Sequence, residues 1–374
     1  MSAPEVGRRT ILFISATVLL MTALFYVSGG SSIPVDTLPA RLSDHEFWQL
    51  VTGFSESGGF FRSDNFLSNE SGSQHVIPAL RKAIEPGGVY LGVGPEQNFT
   101  YIVGLKPKMA FLVDIRRQNM LEHLLYKAMM EMSNDRAEFL SRLFSRPRPV
   151  TANANSNAGN LFRSYERVPS SSALFDANLR LVLDYLEETK RFELSDEDEA
   201  GVRKVYHAFF ESGPSLRYTF VGGYGGFMGM PTYADLMTES DGISHNWSFL
   251  ANEDQYRIVQ RMQKNNLIVP LVGDFAGPKA IRSVAEYLKE HDAVLTVFYT
   301  SNVEQYLFQD DNSWRNFYAN VETLPLGSSS TFIRYVLNRG FNRARTVLSP
   351  MIDVVEAFNS GGVRSYYDVI EMSR

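Results

Sequence analysis

The sequence predicts an α/β fold with a mostly parallel sheet and helices on both faces, and three observations carry that reading. Apolar runs without polar alternation recur at residues 89–93, 109–114, 267–272 and 293–299, the pattern of strands covered on both sides. Helical spacing follows two of them: Leu121, Leu124, Leu125, Ala128, Met129 and Met132 after the second, and Ile281, Val284, Ala285 and Leu288 after the third. Glycine turns separate strand from helix, at Gly87-Gly88 before the first run and at Gly92-Val93-Gly94 on its end. Strand, glycine loop, helix, strand ending in Asp114 and helix is a βαβ unit, which requires a parallel sheet.

The chain of 374 residues is 44% hydrophobic, enough for a large packed core. With 36 Lys+Arg against 42 Asp+Glu the net charge is -6, so no global positive field can hold a phosphate backbone, and no nucleic-acid partner is expected. The absence of cysteine excludes disulfides, zinc ribbons, iron–sulfur clusters and thiol catalysis.

Residues 1–34 read as an N-terminal membrane anchor or signal sequence. Arg8 and Arg9 precede an uncharged run over 10–27, whose apolar length of about 17 residues fits both a short spanning helix and a signal-peptide core. Tyr26-Val27-Ser28 is a poor small-x-small cleavage site, which favours the anchor. The arginines then stay cytoplasmic and the domain lies on the extracytoplasmic side; cleavage gives an exported soluble form instead. A loose match to a twin-arginine signal and a buried N-terminal helix are the other readings of this stretch.

Residues 35–87 follow as an N-terminal helical cap and polar loop. Pro34 and Pro39 mark a linker, Ser43 caps a helix reaching about Phe54 with Glu46 completing a capping box, and a short helix falls near 75–84. Residues 88–340 make the Rossmann-like domain, carrying a largely helical insertion at about 135–265 with amphipathic helices near 178–191 and 196–211. The run Asp196-Glu197-Asp198-Glu199 reads as a helix start behind the Ser195 cap. Residues 327–331 read as a linker before a strand at 332–337, and 341–374 as a C-terminal helical tail.

Gly92 and Gly94 at one strand end, with Asp114 at the end of the next, form the arrangement a nucleoside cofactor needs. The glycines let backbone amides approach the ligand, and the carboxylate accepts from ribose hydroxyls. The plainer alternative is that the glycines turn the chain and Asp114 caps the helix after it. Over roughly residues 85–135 and 266–310 the chain resembles the class I S-adenosylmethionine-dependent methyltransferases. The resemblance implies S-adenosylmethionine as cofactor, with Asp114 on its ribose and Asp274 on its adenine. It also implies a substrate site after the fourth strand, at Tyr299, Ser301 and Asn302. Two departures stand out: Tyr90 occupies a place where that family usually has an acid, and Pro95-Glu96-Gln97-Asn98 replaces a third glycine. Glu96 is the candidate for the absent carboxylate, at the price of negative charge beside the glycine loop.

Arg62, Asp64, Asn65, Asn69 and Glu70 cluster beside Phe60 and Phe61, which suits either a substrate-side lid over a small polar ligand or a loop whose Asx turns satisfy its own backbone. The segments at 58–70, 274–280 and 299–307 also resemble a family of uncharacterised bacterial proteins, a likeness that brings no activity with it. The glycine-rich stretch at 221–229 lacks the Lys-Ser/Thr of a phosphate loop and reads as an ordinary turn or a mobile substrate-side loop. No histidine lies in a pattern such as HExxH, so no metal is expected. Two functions follow from the sequence. One is a methyltransferase-like protein of unknown acceptor; the other is a membrane-attached, non-catalytic binding or scaffold protein on the same core.

Overall fold

The computed structural model describes residues 36–219, 230–337 and 344–373. The chain divides into the units Met1–Thr37 and Leu38–Arg374, and the second contains every element described below. The apolar run at 10–27 and the glycine-rich stretch at 221–229 lie outside the described residues. Among the described residues no helix is long and apolar enough to cross a membrane.

β1 (Val89–Gly92), β2 (Met109–Asp114), β3 (Ile268–Val272), β4 (Leu295–Ser301), β5 (Leu326–Val336) and β6 (Arg345–Pro350) form one sheet in the order β3-β2-β1-β4-β5-β6. The first five pair in parallel and β6 runs antiparallel to β5. The four strands expected from the apolar runs are therefore direct neighbours in a mixed α/β sheet. Every residue of β1, β2 and β3 is buried, so both faces there are covered.

The helices in chain order are α1 (Asp44–Phe54), α2 (Ile77–Ala83), α3 (Gln97–Leu105), α4 (Arg117–Met132), α5 (Arg136–Leu143), α6 (Ala158–Glu166), α7 (Ser172–Asp184), α8 (Asp196–Ser212), α9 (Tyr233–Thr238), α10 (Glu253–Lys264), α11 (Ala280–Glu290), α12 (Val303–Leu307), α13 (Ser313–Glu322), α14 (Met351–Asn359) and α15 (Tyr366–Glu371). Helices α5 to α10 make up the insertion, which interrupts the connection from β2 to β3. The capping box of Ser43 and Glu46 is formed. Asp198 completes a second box with Ser195 and also takes a fork from Arg117 at 2.5 and 2.7 Å, which ties α8 to the start of α4.

Two stretches differ from expectation. Residues 327–331, read as a linker, belong to β5. Between Leu326 opposite Leu295 and Thr331 opposite Val297 the strand bulges. The Ser330 hydroxyl satisfies that bulge by accepting from Gly327 N and donating to Leu295 O. Ser330 thus stands in for ladder hydrogen bonds, and the bulged stretch lacks a strand's apolar pattern. The stretch read as a helical tail opens with β6, an edge strand whose partial exposure leaves little hydrophobic signal.

A buried ion pair fixes α12 against the sheet. Arg334 on β5 reaches Glu304 with Nε–Oε2 at 2.5 Å and Nη2–Oε1 at 3.1 Å, and both residues are fully buried. The hydroxyls of Thr300 and Tyr318 donate to the same carboxylate. Removing one member strands the other charge in the core, which typically costs about 3–5 kcal/mol. Arg334→Met should therefore lower the urea midpoint by that equivalent with an unchanged slope. A midpoint equal to the wild type's would contradict this weight for the pair.

Candidate functional site

A cavity of about 280 Å³ lies at the carboxyl ends of β1 to β4. That is where the strand order reverses, between β1 and β4, and where open α/β sheets place ligands. Gly94, Asp114, Asp274, Tyr299, Ser301 and Asn302, expected at the site and spread along the chain, all line it, as does Asn65. Gly92, Glu96, Arg62 and Asp64 do not.

Each exclusion has a local cause. A Cβ on Gly92 would stand 2.0 Å from Asn98 Oδ1, so this glycine makes room for Asn98 rather than for a ligand. The Asn98 amide donates to the carbonyls of Val93, Gly94 and Pro95 at 2.8–3.0 Å and accepts from the Tyr90 hydroxyl at 2.8 Å. Tyr90 and Asn98, the apparent departures in this region, are what hold the loop, and Gly94 turns it in the left-handed region at φ 79°. Glu96 faces inward and accepts from Ser68 N at 3.2 Å. Desolvation pushes its carboxyl up to about 8, so at neutral pH it is mostly protonated and brings little negative charge to the loop. Asp64 turns outward to Lys204 at 2.7 Å, and Arg62 is exposed.

Asp114 reaches the cavity already engaged. Arg116 grips it with Nε–Oδ1 at 2.9 Å and Nη2–Oδ2 at 2.7 Å, and its backbone N–H donates to Oδ1 at 2.9 Å. Nη1 of the same guanidinium donates to the carbonyls of Ser63 and Asp64 at 3.1 and 2.8 Å. In the amide orientation its surroundings require, Asn65 Oδ1 accepts from Nη2 at 3.0 Å. The polar loop is thereby locked to the end of β2. It also runs along the strand ends, with Glu56 N donating to Val272 O and Gly59 N to Ile115 O at 2.8 and 2.7 Å. Phe61 roofs the cavity edge-on to Tyr306, with ring centroids 5.1 Å apart.

The loop after β3 is organised around Glu56. Its carboxylate accepts from the N–H groups of Asp274, Lys279 and Ala280 at 3.2, 3.0 and 2.9 Å, filling the anion site at the start of α11. Gly277 permits this approach, since a Cβ there would stand 2.4 Å from Glu56 Oε2. Asp274 keeps one oxygen on Ala276 N at 2.9 Å and is half-buried at the cavity wall.

Glu70 is the residue that sequence reasoning placed in the polar cluster without a role. It is buried on the cavity wall, Oε1 accepts from the Ser301 hydroxyl, and Oε2 has no hydrogen-bond partner among the described residues. Ser301 adopts a left-handed backbone at φ 51°, uncommon for a residue other than glycine. Desolvation raises the Glu70 carboxyl to about 7, against the lowering effect of hydrogen bonds from Ser301 and Tyr299. Arg116 and Glu56 also escaped the sequence reading. The i, i+2 spacing of Asp114 and Arg116 was the only available signal for the first, and nothing local marks the second.

The family model described as "Domain of unknown function (DUF7790)" matches residues 65–359, which include every residue named on the cavity wall except Phe61. The chain belongs to this family. No curated protein matches it. The matched span begins inside the polar loop, so Asn65 and Glu70 fall within the family's domain while Glu56 and Phe61 precede it.

Burial of Glu70 has a stability consequence whose sign is fixed. Its folded value lies above the ordinary 4.5 of the unfolded chain. The cost is therefore absent well below pH 4.5, grows as pH rises towards 7 and is full above that. Glu70→Gln, which cannot ionise, should be more stable than wild type near pH 8 by up to about 3 kcal/mol, with the gap narrowing towards about pH 5. Urea titrations at the two pH values measure it; a Gln variant less stable at the higher pH would contradict it.

Proposed function

We propose that the cavity binds S-adenosylmethionine on a Rossmann-like core and that the protein is methyltransferase-like. The observation that carries this reading is the meeting of Gly94, Asp114, Asp274 and Ser301 in one cavity at the reversal of strand order. Phosphate-binding elements are turned to other uses. The glycine-loop carbonyls wrap Asn98, Asn98 N and Phe99 N at the start of α3 donate to Pro95 O and Glu96 O, and Glu56 fills the start of α11. A sulfonium cation without phosphate suits such a cavity better than a dinucleotide does. The antiparallel β6 points the same way, because a dinucleotide sheet is built from two βαβαβ halves and here the second is incomplete. The volume of about 280 Å³ lies just below the usual range of small-molecule sites, roughly 300–1,000 Å³, and so suits a small ligand. In this reading Asp274 meets the adenine, while Tyr299, Ser301 and Asn302 face the methyl acceptor.

One observation favours the second reading, a non-catalytic binding protein attached to the membrane through residues 10–27. Asp114, the ribose acceptor of the first reading, already spends both oxygens on Arg116. An extracytoplasmic domain would also stand on the side of the membrane where S-adenosylmethionine is not expected.

Calorimetry with S-adenosylmethionine and its demethylated product separates the two. Binding should be detectable, Asp274→Ala should weaken it by about 1–3 kcal/mol, the scale of a hydrogen bond to a charged group, and Asp196→Ala at the start of α8 should leave it unchanged. No binding of either ligand would remove the methyltransferase reading.

A further inference from the structure

We infer that Glu70 is the proton-accepting group of the cavity, placed to receive the proton of a hydroxyl or amine on a bound substrate. The inference rests on the methyltransferase reading only for the identity of the methyl donor. Its geometry is independent. Glu70 stands on the β4 side of the cavity, across from the Asp114 and Asp274 side, because Ser301 at the end of β4 holds its Oε1. Ser68 Oγ accepts from Glu70 N at 3.2 Å and fixes the backbone behind it. With one oxygen anchored by Ser301 and the Tyr299 hydroxyl also engaging it, the carboxyl has a fixed direction on the cavity wall.

The groups facing Glu70 leave its charge uncompensated. Tyr90 on β1, Tyr101 on α3, Tyr299 on β4, Tyr335 on β5 and Tyr366 on α15 lie close enough to feel its charge, as does Glu96 at the start of α3. Burial raises each of these tyrosines, so all stay neutral in the working range, and Glu96 is itself raised to about 8. Glu70 forms no ion pair with a described cation, and Arg116 is committed to Asp114. Desolvation then places the carboxyl at about 7, where it is a competent base at neutral pH and still releases its proton to solvent between turnovers. An anionic substrate would meet Glu70 and Asp274 with no free described cation on the wall, which leaves uncharged hydroxyl compounds and amines as the class the site fits.

The acceptor's oxygen or nitrogen uses its lone pair to form the new bond to the methyl carbon, the sulfonium sulfur keeps the pair of the broken bond and becomes a neutral thioether, and the acceptor's proton passes to the Glu70 carboxylate. Ser301 takes no part in bond making. It is a positioning residue that fixes the carboxyl.

Carbodiimide activation in the presence of ethanolamine tests the assignment on the full-length protein without a known substrate. A hydrophobic carbodiimide activates only a protonated carboxyl, and an amine that reaches the activated group is captured as an amide, located by peptide mass spectrometry. Glu70 should carry the ethanolamine amide near pH 6, and the yield should fall at least about tenfold by about pH 9, following deprotonation of a group near neutrality. Absence of the adduct at Glu70, or a yield independent of pH over that range, overturns the inference. Prior addition of S-adenosylmethionine separates the two claims. Suppressed labelling supports both, whereas labelling that persists keeps Glu70 as the cavity's proton acceptor and rejects the S-adenosyl ligand.

Discussion

The fork between Arg116 and Asp114 is the contact on which the site depends. One guanidinium reaches the end of β2, the backbone of the polar loop at Ser63 and Asp64, and the Asn65 amide. A planar fork with five fixed donors can satisfy a carboxylate and two carbonyls together; a lysine ammonium cannot. Through this group the loop that carries Phe61 and Glu70 is held over the strand ends, and the cavity has a roof. The same fork takes the only cation on the cavity wall among the described residues and leaves the rest of that wall acidic or neutral.

Carboxyl groups near the strand ends fall into two kinds. Glu56, Asp114 and Glu304 are each matched by several donors, in a backbone nest, a guanidinium fork and a fork with two hydroxyls, and they build the frame. Glu70 is met by the hydroxyls of Ser301 and Tyr299 alone among the described residues, and Glu122 in α4 has no hydrogen-bond partner among them. Burial raises both, Glu122 well above its ordinary range. They differ in place: Glu70 lines the cavity, whereas Glu122 is buried in α4 away from it. A sealed neutral carboxyl is a feature of the core, whereas one facing a ligand cavity can exchange its proton with what enters.

The sheet was legible because its central strands are buried on both faces, which imposes uninterrupted apolar runs such as 109–114 that few other structures require. The bulged start of β5 and the edge strand β6 were not, since serine hydroxyls and solvent stand in for the missing neighbours. The cavity residues that end strands were legible for a topological reason: strand ends at a reversal of order must converge. Arg62, Asp64 and Glu96 were misplaced because a loop's polar side chains carry no periodicity, and their direction is set by distant partners, Lys204 for Asp64 and Ser68 N for Glu96. Glu56 shows the same limit, acting on N–H groups more than 200 positions away.

What distinguishes Glu70 from a packing accident is that cheaper residues would fill its place. A buried carboxyl raised to about 7 destabilises the fold at neutral pH, while glutamine of the same shape would accept from Ser301 without that cost. Ser301 adds to it by holding a backbone conformation that side chains other than glycine's disfavour. Strained and destabilising groups placed together on the wall of a ligand cavity are expected where function, not stability, fixes the residue. The frame can sustain that local cost because the neighbouring elements are over-determined, α12 by the Arg334 to Glu304 pair and the polar loop by Arg116.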